Sequence, residues 1–215
     1  MRLNETFISI QGEGPQAGVR SLFIRLSGCN LHCPFCDTKY ATLYINVSRT
    51  ELKSLITKAY KKGVRNVVWT GGEPGLQVDE IKDTIASVES LGMTHAIETN
   101  GTIPFGVAAF DLVVVSPKDS ELPTSGLTDL LTLWTNICEV DVVIKPVIRY
   151  ENIRWWMKWA TEHSEVRMYF MPMTPQDDTM ITEHNRMVRE IIRMMDEYGV
   201  NGAVSPRLHV LYKVR

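Results

Sequence analysis

Short apolar runs recur along the chain with amphipathic segments between them. "SLFIRLS", "NVVWT", "HAIET", "DLVVVS", "DVVIKPV" and "VRMYFMP" are of strand length, rich in Val, Ile and aromatic residues, and mostly bounded by Gly, Pro or Asn. Such runs read as buried strands, because a strand covered on both faces shows little polar alternation. The segments between them carry helix signals. Ser48 and Glu51 form a capping-box pair ahead of "LKSLITKAYKKG", and Gly63 stands where that helix should stop. Further helices are expected near Val78 to Leu91, Thr128 to Cys138, Glu151 to His163 and Asp178 to Tyr198. Strands alternating with helices imply a parallel sheet with its helices packed against it. With no repeat, linker or composition break, the pattern predicts one α/β domain over 1–215, a wound sheet or partial (β/α) barrel of six core parallel strands with flanking helices.

In parallel α/β folds, chemistry gathers where the strands end. Those ends are polar and specific here. "SLFIRLS" runs into a cysteine-rich loop, "NVVWT" into "GGEP", "HAIET" into "NG" and "DLVVVS" into "PK", so four clusters should converge on one face. Composition mainly excludes. Hydrophobic residues make up 44% and charged residues 22%, and the formal net charge is -2, which argues against direct nucleic-acid binding. No apolar run has signal-peptide length or approaches the ~20 residues of a membrane span, so a soluble, cytoplasmic protein without membrane partners is expected.

Of four cysteines, three cluster as C-x3-C-x2-C, at Cys29, Cys33 and Cys36. That is a poor disulfide framework for a chain of this size and favours metal in a reducing compartment. A zinc site completed by His32 or Cys138 is one reading. An iron–sulfur cubane with one iron lacking a protein ligand is the other, and spacing alone leaves both open.

The cysteine motif after the first of these strands, followed by Gly71 to Pro74 ("GGEP") after the next, resembles the radical S-adenosylmethionine superfamily. More narrowly, "SIQGEGPQAGVRSLFIRLSGCNLHCPFCDT", "TGGEP", "ETNG", "SPK" and "SPRLH" occur in the order found in the 7-carboxy-7-deazaguanine synthase family, which the chain resembles over most of its length. The resemblance implies a [4Fe-4S] cluster on Cys29, Cys33 and Cys36, with S-adenosylmethionine chelated at the open iron. Phe35, Cys36, Asp37, Gly72, Glu73, Ser116, Pro117 and Lys118 would line that cofactor. Glu73 would meet its methionyl ammonium, and Glu98 and Asn100 its ribose side. The implied reaction turns 6-carboxy-5,6,7,8-tetrahydropterin into 7-carboxy-7-deazaguanine with loss of ammonia, through a 5′-deoxyadenosyl radical that takes the C6 hydrogen and later returns it. Ile10, Gln11, Gly12 and Thr70 would face that pterin, and Thr38 would hold a Mg2+ completed by substrate. An electron donor such as flavodoxin or ferredoxin and a homodimeric state also follow from the resemblance.

Residue chemistry fits this picture at two points. Arg25 is a permanent charge inside an apolar run and needs an anion, which an internal Asp or Glu would satisfy; a carboxylated substrate makes it a clamp. Glu13 is suited to accept hydrogen bonds from the pterin's 2-amino and ring N–H groups. Arg25, Glu13 and Thr38 are therefore the catalytic candidates, although Asp37 and Thr38 are also ordinary turn residues. Lys145 is ionisable inside an apolar run and takes no assignment beyond snorkelling or a structural pair. Trp155, Trp156 and Trp159 should pack a helix face, Trp155 and Trp159 as i,i+4 neighbours, and His163 and His184 should be surface or cap residues. Arg215 and its terminal carboxylate are candidate substrate contacts. Two other functions compete: a glycyl-radical activating enzyme acting on a protein partner, which shares the cysteine spacing, and a zinc-stabilised binding module.

Overall fold

A computed structural model describes residues 1–118, 124–135, 140–173 and 180–214. The chain begins with a strand outside the six predicted, β1 (Arg2–Ile10), which pairs antiparallel with β2 (Arg20–Leu26) and with the short β3 (Ile45–Asn46). Its residues are mostly half-buried, so it lacked the continuous apolar signal of the others. After α1 (Arg49–Lys61), the strands β4 (Asn66–Gly71), β5 (Thr94–Thr99), β6 (Leu112–Val115), β7 (Asp141–Ile144) and β9 (Arg167–Pro172) join β2 in an unbroken parallel run. These are the six expected strands. "DVVIKPV" breaks at Lys145–Pro146 into β7 and β8 (Val147–Ile148), which pairs with β9, and β10 (Ala203–Val204) adds to the far edge. The sheet path ends at β10 on one side and β3 on the other, so the barrel is partial.

The helices follow their sequence signals. Ser48 Oγ accepts from the Glu51 amide and Glu51 Oε2 accepts from the Ser48 amide, the reciprocal box that starts α1 and lets Leu52, Ile56 and Ala59 bury. α2 (Val78–Val88), α3 (Thr124–Thr135), α4 (Ile153–Glu162) and α5 (Met180–Tyr198) occupy the expected intervals, and α6 (Leu208–Leu211) lies near the C-terminus. α3 begins before its predicted start, and Cys138 lies outside the described residues. On α4, Trp156 and Trp159 pack inside as expected, while Trp155, expected with them, is 42% exposed. His163 caps this helix, its Nδ1 2.9 Å from the Trp159 carbonyl, whereas His184 is buried rather than at the surface. No helix among the described residues is long and apolar enough to cross a membrane.

Period two splits the strand residues between two cores. Ile24, Leu26, Trp69, Ile97, Val113, Val115 and Ile144 belong to the large cluster that includes the helices' buried side chains. Phe23, Val68, Ala96, Val114 and Val143 form a smaller one against Phe7 and Tyr169, on the other face. Two residues further along that second face come Arg25, Thr70, Glu98, Ser116 and Lys145. These five strands thus pass from an apolar plug to a polar residue at the C-terminal end, which makes a ring of chemistry above a dry floor; β9 carries the apolar Met171 at the matching place.

Candidate active site

The thiol loop follows β2 and is held at its base by backbone. Gly72 N–H donates to the Leu26 carbonyl at 3.0 Å and Glu73 N–H to the Gly28 carbonyl at 2.8 Å. A Cβ on Gly72 would stand 2.1 Å from the Gly28 oxygen, so "GGEP" needs glycine where it crosses the start of the cysteine loop. The Glu73 side chain is fully buried and accepts from Gly75 N–H, Thr99 O–H and Asn100 N–H, all at 2.7 Å. Burial pushes its carboxyl up from the ordinary range, against the pull of those three donors. Asn100 in turn donates from Nδ2 to Asn30, between the first two cysteines, at 3.1 Å. "GGEP" and "ETNG" therefore brace the loop from behind. Glu73, expected at the cofactor's methionyl ammonium, thus also serves as a brace: Oε1 holds two donors and Oε2 one, which leaves Oε2 with acceptor capacity.

Cys29 and Cys36 are exposed on the loop and Cys33 is half-buried. Cys29 Sγ accepts from Leu31 N–H at 3.4 Å, and Cys36 Sγ lies 3.6 Å from Thr38 Oγ1. Among the described residues no three His, Cys, Asp or Glu side chains are drawn into metal-holding geometry. The donor set nevertheless fits an iron–sulfur cubane: three soft thiols on one short accessible loop, which the cluster's own bonds would close around it. Lys118 is near enough for its charge to interact with Cys33; burial lowers the lysine's pKa, the nearby Lys145 charge adds to that, and Cys33 opposes it. Its Nζ donates to Ser116 Oγ at 2.9 Å, beside buried Pro117. The Phe35 ring lies under the Arg149 guanidinium, 4.7 Å from it.

The polar ring is closed by the segment after β1. Lys145, 3% exposed, donates to Glu13 Oε2 at 2.5 Å and to Glu98 Oε1 at 3.2 Å. Glu98 also accepts from Gln11 Nε2 at 3.1 Å and Thr70 Oγ1 at 3.4 Å. Arg207 bonds Glu13 Oε1 through Nε at 3.2 Å and Asp37 through Nη2 at 2.6 Å, tying the ring to the thiol loop. Burial alone would raise the Glu13 carboxyl, but Lys145 and then Arg207 outweigh it and bring it down to about 2. Lys145 is pressed down by burial yet held above the ordinary lysine range by Glu13 and Glu98.

The C-terminal segment lids this end. Leu208 N–H donates to the Gly12 carbonyl at 3.0 Å and Gly14 N–H to Ser205 Oγ at 2.8 Å. His209 Nε2 lies 3.9 Å from Glu13, and burial lowers its pKa against the pull of that carboxylate. Arg25 is paired through Nε with Glu5 at 2.9 Å, and its guanidinium lies over the Tyr40 ring. Arg215 lies outside the described residues.

An open parallel sheet with a three-thiol loop after its first parallel strand and "GGEP" braced behind it defines a radical S-adenosylmethionine enzyme, and the Radical SAM superfamily model matches residues 23–117. Its cofactors are a [4Fe-4S] cluster and S-adenosylmethionine. A 7-carboxy-7-deazaguanine synthase of Hyperthermus butylicus is 33% identical over 100% of this chain and 93% of its own. That of Methanospirillum hungatei is 31% identical over 86% of this chain and 77% of its own. The crystal structure of QueE from Escherichia coli, 25% identical, superposes with a TM-score of 0.68 over 97% of this chain and 94% of that one. The chain belongs to the 7-carboxy-7-deazaguanine synthase family.

Gln11, Glu13 and Thr70, expected at the substrate, meet in one hydrogen-bonded group; Gly12 lies under His209, Arg25 pairs in register with Thr70, and Ile10 ends β1 opposite Arg20. Glu98 was expected with Asn100 at the cofactor's ribose side. Strand alternation sends Thr99 toward Glu73 and Glu98 to the opposite face, so Glu98 stands with Gln11 and Thr70 rather than with Asn100. Lys145 went unassigned and Arg207 was only noted within "SPRLH". The first was recoverable, since Lys145 follows Val143 by two residues as Arg25 follows Phe23.

Proposed function

We propose that this chain contracts 6-carboxy-5,6,7,8-tetrahydropterin to 7-carboxy-7-deazaguanine with loss of ammonia, and that the ring of Arg25, Glu13, Glu98 and Thr70 holds the pterin. The observation that carries the reading is that this charged ring adjoins the thiol loop, through Arg207 between Glu13 and Asp37. When bound, the cluster and S-adenosylmethionine supply reductive cleavage of the sulfonium and a carbon radical that takes the C6 hydrogen. The chain's own residues do the rest. The Arg25 guanidinium engages Glu5 through Nε and has two amino groups besides, a fork that suits the substrate carboxylate. The Glu13 and Glu98 side chains accept from the pterin's 2-amino and ring N–H groups. The segment around His209 covers this end and limits water.

Thr38 gives one hard oxygen beside Cys36. That is too little for Mg2+ alone, so the ion would take further oxygens from substrate and water and steady charge on the ring. A donor such as flavodoxin or ferredoxin would supply electrons in a reducing, cytoplasmic setting, and the working form would be a homodimer. The test is anaerobic turnover of reconstituted protein with reductant, Mg2+, S-adenosylmethionine and the pterin, read by mass spectrometry. 7-Carboxy-7-deazaguanine is the expected product; cleaved S-adenosylmethionine with intact pterin would defeat the substrate assignment.

A further inference from the structure

Lys145 is the most enclosed charge in the molecule's polar ring, and nothing in the reading above uses it. Its ammonium sits between two carboxylates, 2.5 Å from Glu13 Oε2 and 3.2 Å from Glu98 Oε1. Those oxygens are therefore no farther apart than the two bonds laid end to end. Their elements are distant in the chain: Glu13 precedes β2, Glu98 ends β5, and Lys145 follows β7. Two carboxylates so close in a mostly buried site repel each other, and the ammonium between them offsets that repulsion.

We propose that Lys145 is a positioning residue for the pterin: it keeps Glu13 and Glu98 both ionised and spaced as paired acceptors, and so sets the requirement for a ligand that presents N–H donors to both. This rests on the substrate reading above. The alternative, a lysine that merely fills space, is countered by geometry. A filler would not need two anions on one nitrogen, and Gln11 and Thr70 already provide neutral donors to Glu98. Arginine at this position would keep the charge. Methionine would keep the length and lose it.

Among the described residues, charges face this group from several elements. Glu13 meets Lys145, Arg207 and His209; Glu98 meets Lys145 with the neutral Gln11 and Thr70. Lys118 acts on Lys145 as a like charge, and Arg207 is shared with Asp37. Removing the ammonium leaves Arg207 and His209 on Glu13 and, among the described residues, no cation paired with Glu98. Glu98 is then the carboxyl whose proton affinity rises, and once protonated it offers a donor where an acceptor is wanted.

The experiment is an anaerobic calorimetric titration of the pterin into reconstituted protein at pH 6 and pH 8, for wild type, Lys145→Met, Lys145→Arg and the double variant Lys145→Met/Glu98→Gln. Lys145→Met should bind about tenfold more weakly at pH 8 and about a hundredfold more weakly at pH 6. Lys145→Arg should recover most of the affinity and the wild-type pH response. The double variant, with one carboxylate neutralised, should lose the extra weakening at pH 6 whatever its affinity, which separates charge screening from misfolding. Equal weakening of Lys145→Met at both pH values, or a double variant as pH-sensitive as the single, overturns the proposal. If wild type binds the pterin but does not contract it, the reaction assignment fails while this test still decides on Lys145; if wild type does not bind it, both fall.

Discussion

The brace behind the thiol loop makes a quantitative prediction for Glu73→Gln. Oε1 of Glu73 takes Gly75 N–H and Thr99 O–H, and Oε2 takes Asn100 N–H. A glutamine can keep the pair at Oε1 but must turn its own NH2 toward the Asn100 amide, so one bond is lost and two donors face each other. A hydrogen bond to a charged acceptor contributes about 1.5–3 kcal/mol, and the neutral side chain recovers part of this because burial already disfavours the carboxylate, leaving a net loss of about 1–3 kcal/mol. Glu73→Ala strands all three donors and should cost about 3 kcal/mol or more. Urea unfolding at pH 7 reads both, and hydrogen exchange at the Asn100 amide reports whether the loss is local. The sign with pH is also fixed. Because burial raises this carboxyl, the folded protein holds the proton more tightly than the unfolded chain, so Glu73 makes stability fall as pH rises from the ordinary carboxylate range through its raised value. Glu73→Gln should abolish that slope. An unchanged unfolding midpoint with Asn100 equally protected would refute the brace.

The Glu13 cluster behaves oppositely. Its carboxyl lies at about 2 against 4.5 ordinarily, so its stabilisation is complete above the ordinary value and is lost as pH falls from there toward 2. Acid titration of stability should show this limb in wild type and a flatter one in Glu13→Gln; matching curves would contradict the pairing. Gly12→Ala would put a Cβ 2.0 Å from His209 Nδ1, forcing the C-terminal segment off at about 1–3 kcal/mol. Faster exchange at the Leu208 amide is the expected sign, and unaltered protection there would show that the segment is not held by this contact.

Much of this architecture was legible because it rests on local signals. Buried parallel strands announce themselves as continuous apolar runs, and the Ser48–Glu51 box and Gly63 bound α1 without help from the rest of the chain. β1 escaped because a strand that is half-buried along most of its length lacks a continuous apolar run, and β3 and β10 are too short to carry a pattern. The thiol loop and "GGEP" were legible as chemistry through their spacing. Harder to read was which residues the strands bring together. The resemblance grouped Glu98 with Asn100, whereas alternation of faces sets Glu98 apart from Thr99 and beside Gln11 and Thr70. Of the three tryptophans expected on the packed face of α4, Trp156 and Trp159 are inside and Trp155, at the margin of that face, is exposed. Arg25 kept both its readings: the internal pair with Glu5 exists, and its guanidinium still has donors for a second anion. Lys145 and Arg207 were obscure because their partners, Glu13, Glu98 and Asp37, are brought to them only by the tertiary fold.

The central claim is that the ring above the plug holds the pterin with C6 within reach of the cofactor bound at the thiol loop. Substrate deuterated at C6, turned over anaerobically by the reduced holoenzyme, tests it most directly. The account predicts deuterium at the 5′ carbon of recovered S-adenosylmethionine and more than one 7-carboxy-7-deazaguanine per S-adenosylmethionine consumed. Stoichiometric cleavage to unlabelled 5′-deoxyadenosine, with the deuterated pterin intact, would contradict it.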